Sequence, residues 1–148
     1  MVKRIVSGLV VFALAVAIGG NALAQEPDET LNAALEYLQT IQNEDGGFSN
    51  GFAPESDLGA TADAVVAIAA AGEDPHAYLA GEGQSPLDLL AAQLEIGVGD
   101  GAAGQIAKII TAVVAAAEDP TAFDGRDLVS DLLALQSEDG VFGMGAFD

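Results

Sequence analysis

The chain has 148 residues, with 23 Asp and Glu against four Lys and Arg, one His, and neither Cys nor Trp. Those counts exclude a disulfide scaffold, a Cys-ligated zinc or iron–sulfur centre and a basic nucleic-acid-binding face. The length suits one modest core and not two.

Residues 1–24 read as a secretory signal peptide, with Lys3 and Arg4 at the start, an apolar run from Ile5 to Ile18 and the small-residue ending Ala22-Leu23-Ala24 before polar Gln25. The rival reading, a lone membrane anchor, asks for about 20 apolar residues, and this run falls short of that. Residues 25–148 then carry two cations and all 23 acids, a net charge of −21. With no second spanning run, the mature chain is expected to be secreted and free of the membrane, and its lack of Cys does not contradict export.

The rest of the chain repeats. Ala71-Gly72-Glu73-Asp74-Pro75-His76-Ala77-Tyr78 returns 45 residues later as Ala116-Ala117-Glu118-Asp119-Pro120-Thr121-Ala122-Phe123. Gln42-Asn43-Glu44-Asp45-Gly46-Gly47-Phe48 returns 94 residues later as Gln136-Ser137-Glu138-Asp139-Gly140-Val141-Phe142. A degenerate middle copy holds Gln93 and then Gly99-Asp100-Gly101. Three units of about 45 residues therefore tile residues 25–148, the third incomplete.

Five helices follow from the periodicity. Leu31, Ala34, Leu35, Leu38 and Ile41 fall on one face of a first, amphipathic helix with Thr30 as its expected N-cap. A second, about Thr61 to Ala71, is apolar nearly all round except for Asp63, the mark of a helix covered on more than one side. Gly72 suits its C′ position and Pro75 stops it resuming. A third, about Pro86 to Glu95, is half-polar with Pro86 in its first turn. The fourth, about Gln105 to Ala117, stacks Ile106, Ile109, Ile110, Val113, Val114 and Ala117. The fifth, about Asp127 to Gln136, is expected to bury Leu128, Val129, Leu132, Leu133 and Leu135. Half-polar and apolar helices alternate, which predicts a double layer of α-hairpins with the apolar helices inside. In the Glu-Asp-Gly-x-Phe turns, Gly46 and Gly140 can take positive φ, and Phe48 and Phe142 are expected to clasp neighbouring units.

Leu38-x3-Gln42-x3-Gly46-x-Phe48 and Leu132-x3-Gln136-x3-Gly140-x-Phe142 resemble the repeat of the squalene-cyclase and protein-prenyltransferase superfamily, which usually ends in Trp where this chain has Phe. The Asp-Pro-x-x-Tyr/Phe segment and Gly83-Gln84-Ser85-Pro86-Leu87-Asp88-Leu89-Leu90 are similar to exported bacterial members. The resemblance runs from about Thr30 to Phe147. It implies an all-α, partial α/α toroid in which Gln42, Asp45, Gly46, Phe48, Gln93, Asp100, Gly101, Gln136, Asp139, Gly140, Phe142, Pro75 and Pro120 are structural motif residues. Members are enzymes acting on isoprenoids or non-catalytic binders such as the transcobalamin-related vitamin B12 carriers. A complete toroid has about six hairpins, against two and an outer helix here. The implied partners are further repeats, a second copy, or an apolar ligand or protein.

Catalytic signals are missing. No Asp-x-Asp-Asp string of the class II terpene cyclases occurs, and without Cys the prenyltransferase zinc site has no thiolate ligand. Glu44-Asp45, Glu73-Asp74, Glu118-Asp119 and Glu138-Asp139 read as solvated turn residues and caps. His76, whose repeat counterpart is Thr121, reads as a surface turn residue, and Lys108 and Arg126 alone make no diphosphate site. An EF-hand with Gly46 at its sixth position would put Ile41 first and Phe52 twelfth, so both end ligands are absent. Weak cation binding by the acidic turns stays open. The expectation is a non-catalytic secreted domain with no cofactor, no metal, no nucleic-acid partner and an apolar inner face for a ligand or partner. The alternative is the N-terminal part of a secreted cyclase- or prenyltransferase-like enzyme with its catalytic motif beyond Asp148.

Overall fold

The computed structural model describes residues 29–96 and 102–142. They form five α-helices, α1 (Glu29–Ile41), α2 (Leu58–Ala70), α3 (Pro86–Ile96), α4 (Ala102–Ala115) and α5 (Leu128–Ala134), with a 3-10 turn at Pro75–Ala77. The described part of the chain is all-α, its only β pairing being isolated bridges in the turns. The segment read as a signal peptide, Asp100, Gly101 and the residues after Phe142 lie outside the described residues.

Helix starts follow cap chemistry more than apolar periodicity. The second helix begins at Leu58 instead of near Thr61 because Asp57 caps it, its Oδ1 accepting from the Ala60 N–H at 2.8 Å. At α3, Ser85 and Asp88 form a reciprocal box: Asp88 Oδ2 accepts from the Ser85 N–H at 2.7 Å and Ser85 Oγ accepts from the Asp88 N–H at 3.3 Å. Asp127 caps α5 by accepting from the Ser130 N–H at 2.9 Å. Thr30 is not the cap expected of it, because α1 already includes Glu29, whose negative charge suits the positive end of the helix dipole.

The two apolar helices, α2 and α4, pack on each other, while α3 lies on α2 and α5 on α4. Their shared core is Ala62 and Val65 of α2, Leu87, Leu90 and Leu94 of α3, Ile106, Ile109, Ala112 and Val113 of α4, with Phe123 and Leu128. The half-polar helices α3 and α5 thus each rest on the apolar helix that precedes them in the chain. No apolar helix precedes α1 among the described residues, and α1 buries none of its side chains, so Leu31, Tyr37 and Ile41 stay exposed. The fifth helix also buries less than its pattern implied: Leu128 is buried and Val129 and Leu132 half-buried, but Leu133 and Leu135 face solvent. It is only seven residues long and nothing described lies on its far side.

The repeat extends to hydrogen bonds. At the end of α2 the Glu73 N–H donates to Ile68 O (3.2 Å) and the Gly72 N–H to Ala69 O (3.0 Å). At the end of α4 Glu118 donates to Val113 O (3.0 Å) and Ala117 to Val114 O (3.0 Å). Both are Schellman caps, which need a left-handed residue at C′. Gly72 has φ 86°, but Ala117 takes φ 61° at the same position. An L-residue there carries a strain of about 1 kcal/mol that Gly avoids. Ala117→Gly is therefore expected to stabilise the fold by up to about 1 kcal/mol, read as a higher thermal midpoint. An unchanged or lower midpoint would contradict the assignment.

Candidate binding surface

The motif turn after α1 holds the first unit to the second. After α1, Gln42 Nε2 donates to Gly46 O at 2.9 Å and to Tyr78 O at 3.0 Å. Asp45 Oδ1 accepts from the Gly47 N–H (3.0 Å) and from Ser56 Oγ (2.6 Å), closing the turn. The Phe48 N–H donates to Oγ1 of fully buried Thr61 at 3.0 Å, and the Phe48 side chain is buried. Phe48 thus ties the turn after α1 to the start of α2 within the first unit. The junction of α3 with α5 uses a cation. Arg126 Nη1 donates to Leu94 O near the end of α3 (2.7 Å), while its Nε and Nη2 hold Asp131 Oδ2 of α5 (3.1 and 2.6 Å).

Lys108 and the His76 side chain also join repeats. Lys108 Nζ lies 2.6 Å from Asp63 Oδ2, linking positions one period apart on α4 and α2. His76 Nε2 lies 2.8 Å from Glu118 Oε1, linking the two corner loops. His76 is a surface turn residue, as expected, and also a cross-repeat contact. Pro75 is buried and Pro120 half-buried beneath their corners, with Asp74 and Asp119 accepting from the backbone N–H two residues on. Gln93 sits half-buried within α3. The third turn repeats the first internally, with Gln136 Nε2 donating to Gly140 O at 3.0 Å, but Phe142 remains 43% exposed. The clasp expected of Phe142 is open because no described segment lies against it. Asp139 is exposed in the same turn.

Two of the hollows on the described surface lie beside the repeat joints. One of about 490 Å³ lies between the first turn and α3 and is rimmed by Glu44, Asp45, Glu82 and Asp88 over Leu89 and Ala92. The other, about 470 Å³, runs between the corner loops beside His76 and Ala115–Ala117. Both are open, and the first is rimmed by carboxylates alone among charged groups, a poor seat for an anion. Asp63, Ala67 and Ala70 of α2 share an exposed side with Gly104, Lys108, Thr111 and Val114 of α4, a stripe of small side chains crossed by the Lys108–Asp63 pair. Among the described residues no three His, Cys, Asp or Glu converge on a metal position. Every buried side-chain polar atom among them has a partner, and none of their helices is long and apolar enough to cross a membrane.

Hydrogen bonds from the Ser130 backbone and hydroxyl hold the Asp127 carboxyl below the usual carboxylate range, and the Thr121 hydroxyl and backbone do the same for Asp119. Burial, reinforced by the charge of Glu73, pushes the Tyr78 phenol up. A lowered folded pKa contributes stability that is present above the unfolded value near 3.9 and is lost as pH falls through the folded value. Asp127→Ala is accordingly expected to lower the thermal midpoint at pH 7 and to make little difference near pH 2. A penalty of equal size at both would refute the capping account.

Thr61, Arg126 and the Ser85–Asp88 box were not singled out by the repeat motifs. The box was legible as Ser-x-x-Asp ahead of an apolar run. Thr61 and Arg126 act on residues 13 and 32 positions away, and no local pattern reports such distances. Comparison with protein-family models, curated proteins and solved structures gives no match.

Proposed function

We propose that this chain is a secreted, non-catalytic α-hairpin repeat domain of the squalene-cyclase/prenyltransferase-like type, a partial α/α toroid that binds a ligand or protein partner through its inner face. The observation that carries the reading is the use to which its polar groups are put. Asp57, Asp74, Asp88, Asp119 and Asp127 cap backbone N–H groups, and His76, Lys108 and Arg126 bridge repeats. Side chains spent on holding repeats together leave the exposed side of α2 and α4 as the place for a partner. Its small residues, Ala67, Ala70, Gly104 and Thr111, let a flat apolar body approach closely.

The test is thermal unfolding of the folded chain with cobalamin-like and isoprenoid compounds. A ligand at 100 times its Kd stabilises the state it binds by about 2.7 kcal/mol, so a bound compound raises the midpoint by many degrees. No rise with either class at saturating concentration removes the small-ligand reading. Tracing the coding sequence beyond Asp148 tests the alternative, since an Asp-x-Asp-Asp motif there would make this chain part of an enzyme.

A further inference from the structure

We propose that Asn50–Gly51 is a self-modification site, where the Asn50 side chain closes on the Gly51 nitrogen, loses ammonia and leaves aspartate or isoaspartate at position 50. The proposal is independent of the repeat reading, and its only co-reactant is water.

The loop between α1 and α2 presents the pair to solvent, with Asn50, Gly51 and Phe52 all exposed. Its hydrogen bonds lay out the parts of an acyl transfer. Asn50 Oδ1 accepts from the Phe52 N–H at 3.0 Å, a donor that meets the charge growing on this oxygen as Cγ becomes tetrahedral. The Gly51 N–H, which must lose its proton to attack, donates to Ser49 Oγ at 2.9 Å. The Ser49 hydroxyl gives its own proton to Ala53 O, which leaves an oxygen lone pair for Gly51. Nucleophile and electrophile belong to neighbouring residues, so ring closure loses no translational freedom. Gly51 has φ 84° and a Cβ there would meet nothing within 4 Å, so no side chain crowds the nitrogen and the backbone can turn into the ring. In the reaction the Gly51 N–Cγ bond forms and the Cγ–Nδ2 bond breaks. The Gly51 proton leaves through Ser49 Oγ to water, and Nδ2 departs as ammonia with a proton taken from water. Water then opens the succinimide. Cleavage of the new Cγ–N bond gives aspartate, and cleavage of the original peptide C–N bond gives isoaspartate, with the chain running through Cβ and Cγ.

The comparable positions among the described residues lack this arrangement. Asn32 lies inside α1, whose ladder fixes its backbone. Asn43 is followed by Glu44, and its Nδ2 is held by Pro54 O at 3.0 Å and Ser56 Oγ at 2.9 Å. At Asp45–Gly46 and Asp139–Gly140 the glycine N–H donates to a backbone carbonyl, Asn43 O at 3.0 Å and Ser137 O at 2.9 Å, and a carboxylate is a poorer electrophile than an amide. Conversion at Asn50 adds a negative charge, and isoaspartate also lengthens the backbone beside Phe52, which is 96% exposed. The core cluster takes no residue from this loop, so the change is local.

The experiment incubates the folded full chain at mildly alkaline pH and follows ammonia release and peptide masses, with Asn50→Asp as the standard for the aspartate product. The peptide holding Asn50 is expected to gain the amide-to-acid mass at least about tenfold faster than those holding Asn32 or Asn43, and to yield both aspartate and isoaspartate. A free peptide of residues 46–55 should convert no faster than the folded chain. Ser49→Ala should slow conversion several-fold in the folded chain and leave the free peptide unchanged, with the thermal midpoint of the chain showing that it remains folded. No mass gain at Asn50, a folded chain slower than the free peptide, or a folded Ser49→Ala chain as fast as the parent would each overturn the proposal.

Discussion

Gly46→Ala is expected to destabilise the fold by roughly 3 kcal/mol or more, while Gly140→Ala, the same change at the equivalent position, costs only about 1 kcal/mol. Both glycines have nearly the same backbone, φ 85° and 80°, so the strain of placing an L-residue there is common to both. What differs is the surroundings. At Gly46 the new methyl lands 2.5 Å from Ser85 O and 2.9 Å from Gln84 O, and these are backbone atoms that cannot swing aside. The turn must lift off the corner, taking with it the Gln42–Tyr78 and Phe48–Thr61 bonds. At Gly140 the methyl meets open space. Parallel thermal and urea unfolding of the two variants measures the difference, and equal costs would show that the first turn is not wedged between the units.

Ile109→Ala is the second large effect, expected at 2–5 kcal/mol. Ile109 is fully buried on α4, in the one cluster where α2, α3, α4 and α5 all contribute. The cavity would open in a core whose α2 and α4 members include Ala62, Ala103 and Ala112, and small side chains cannot close over it. Against a total stability of about 5–15 kcal/mol and a midpoint shift of about 2–8 °C per kcal/mol across domains smaller and larger than this one, the variant should melt at least about 4 °C lower. Val114→Ala, on the exposed side of the same helix at 55% exposure, is the control and should stay within about 0.5 kcal/mol of the parent. Circular dichroism melts of the two separate core packing from helix propensity, since Ala favours the helix in both. Similar midpoints would mean that α4 is not the centre of the core.

The Gly140 and Val114 controls share a lesson with α1. Leu31, Leu35 and Leu38 form as clean an apolar stripe as any in the chain, yet Leu31 is exposed and Leu35 and Leu38 are only half-buried. Periodicity reports that a face is suited to burial, and burial also requires a neighbour. Leu133 and Leu135 on α5 fail for the same reason. By contrast, the alternation of half-polar and apolar helices was legible because it depends on composition around each helix, and α2 and α4 do lie at the centre. The turns were legible because Asp-Gly, Asp-Pro and the Gln three residues before Asp are local chemistry, acting over two to four positions.

The sequence by itself determined the all-α class, the five helices within a few residues of their ends, the 45-residue period, and the acidic, cysteine-free character that confines the stabilising forces to packing and caps. Those properties are carried by side-chain identity at short separations. Only the tertiary structure decided that α3 and α5 each rest on the apolar helix before them, that Arg126 and Thr61 tie together segments 13 to 32 residues apart, and that two turns of matching sequence differ, one wedged shut and one open. That last difference comes from what lies beside each turn. Gly46 and Gly140 have the same local conformation, and only the position of the Ser85 carbonyl beside one of them makes it a joint.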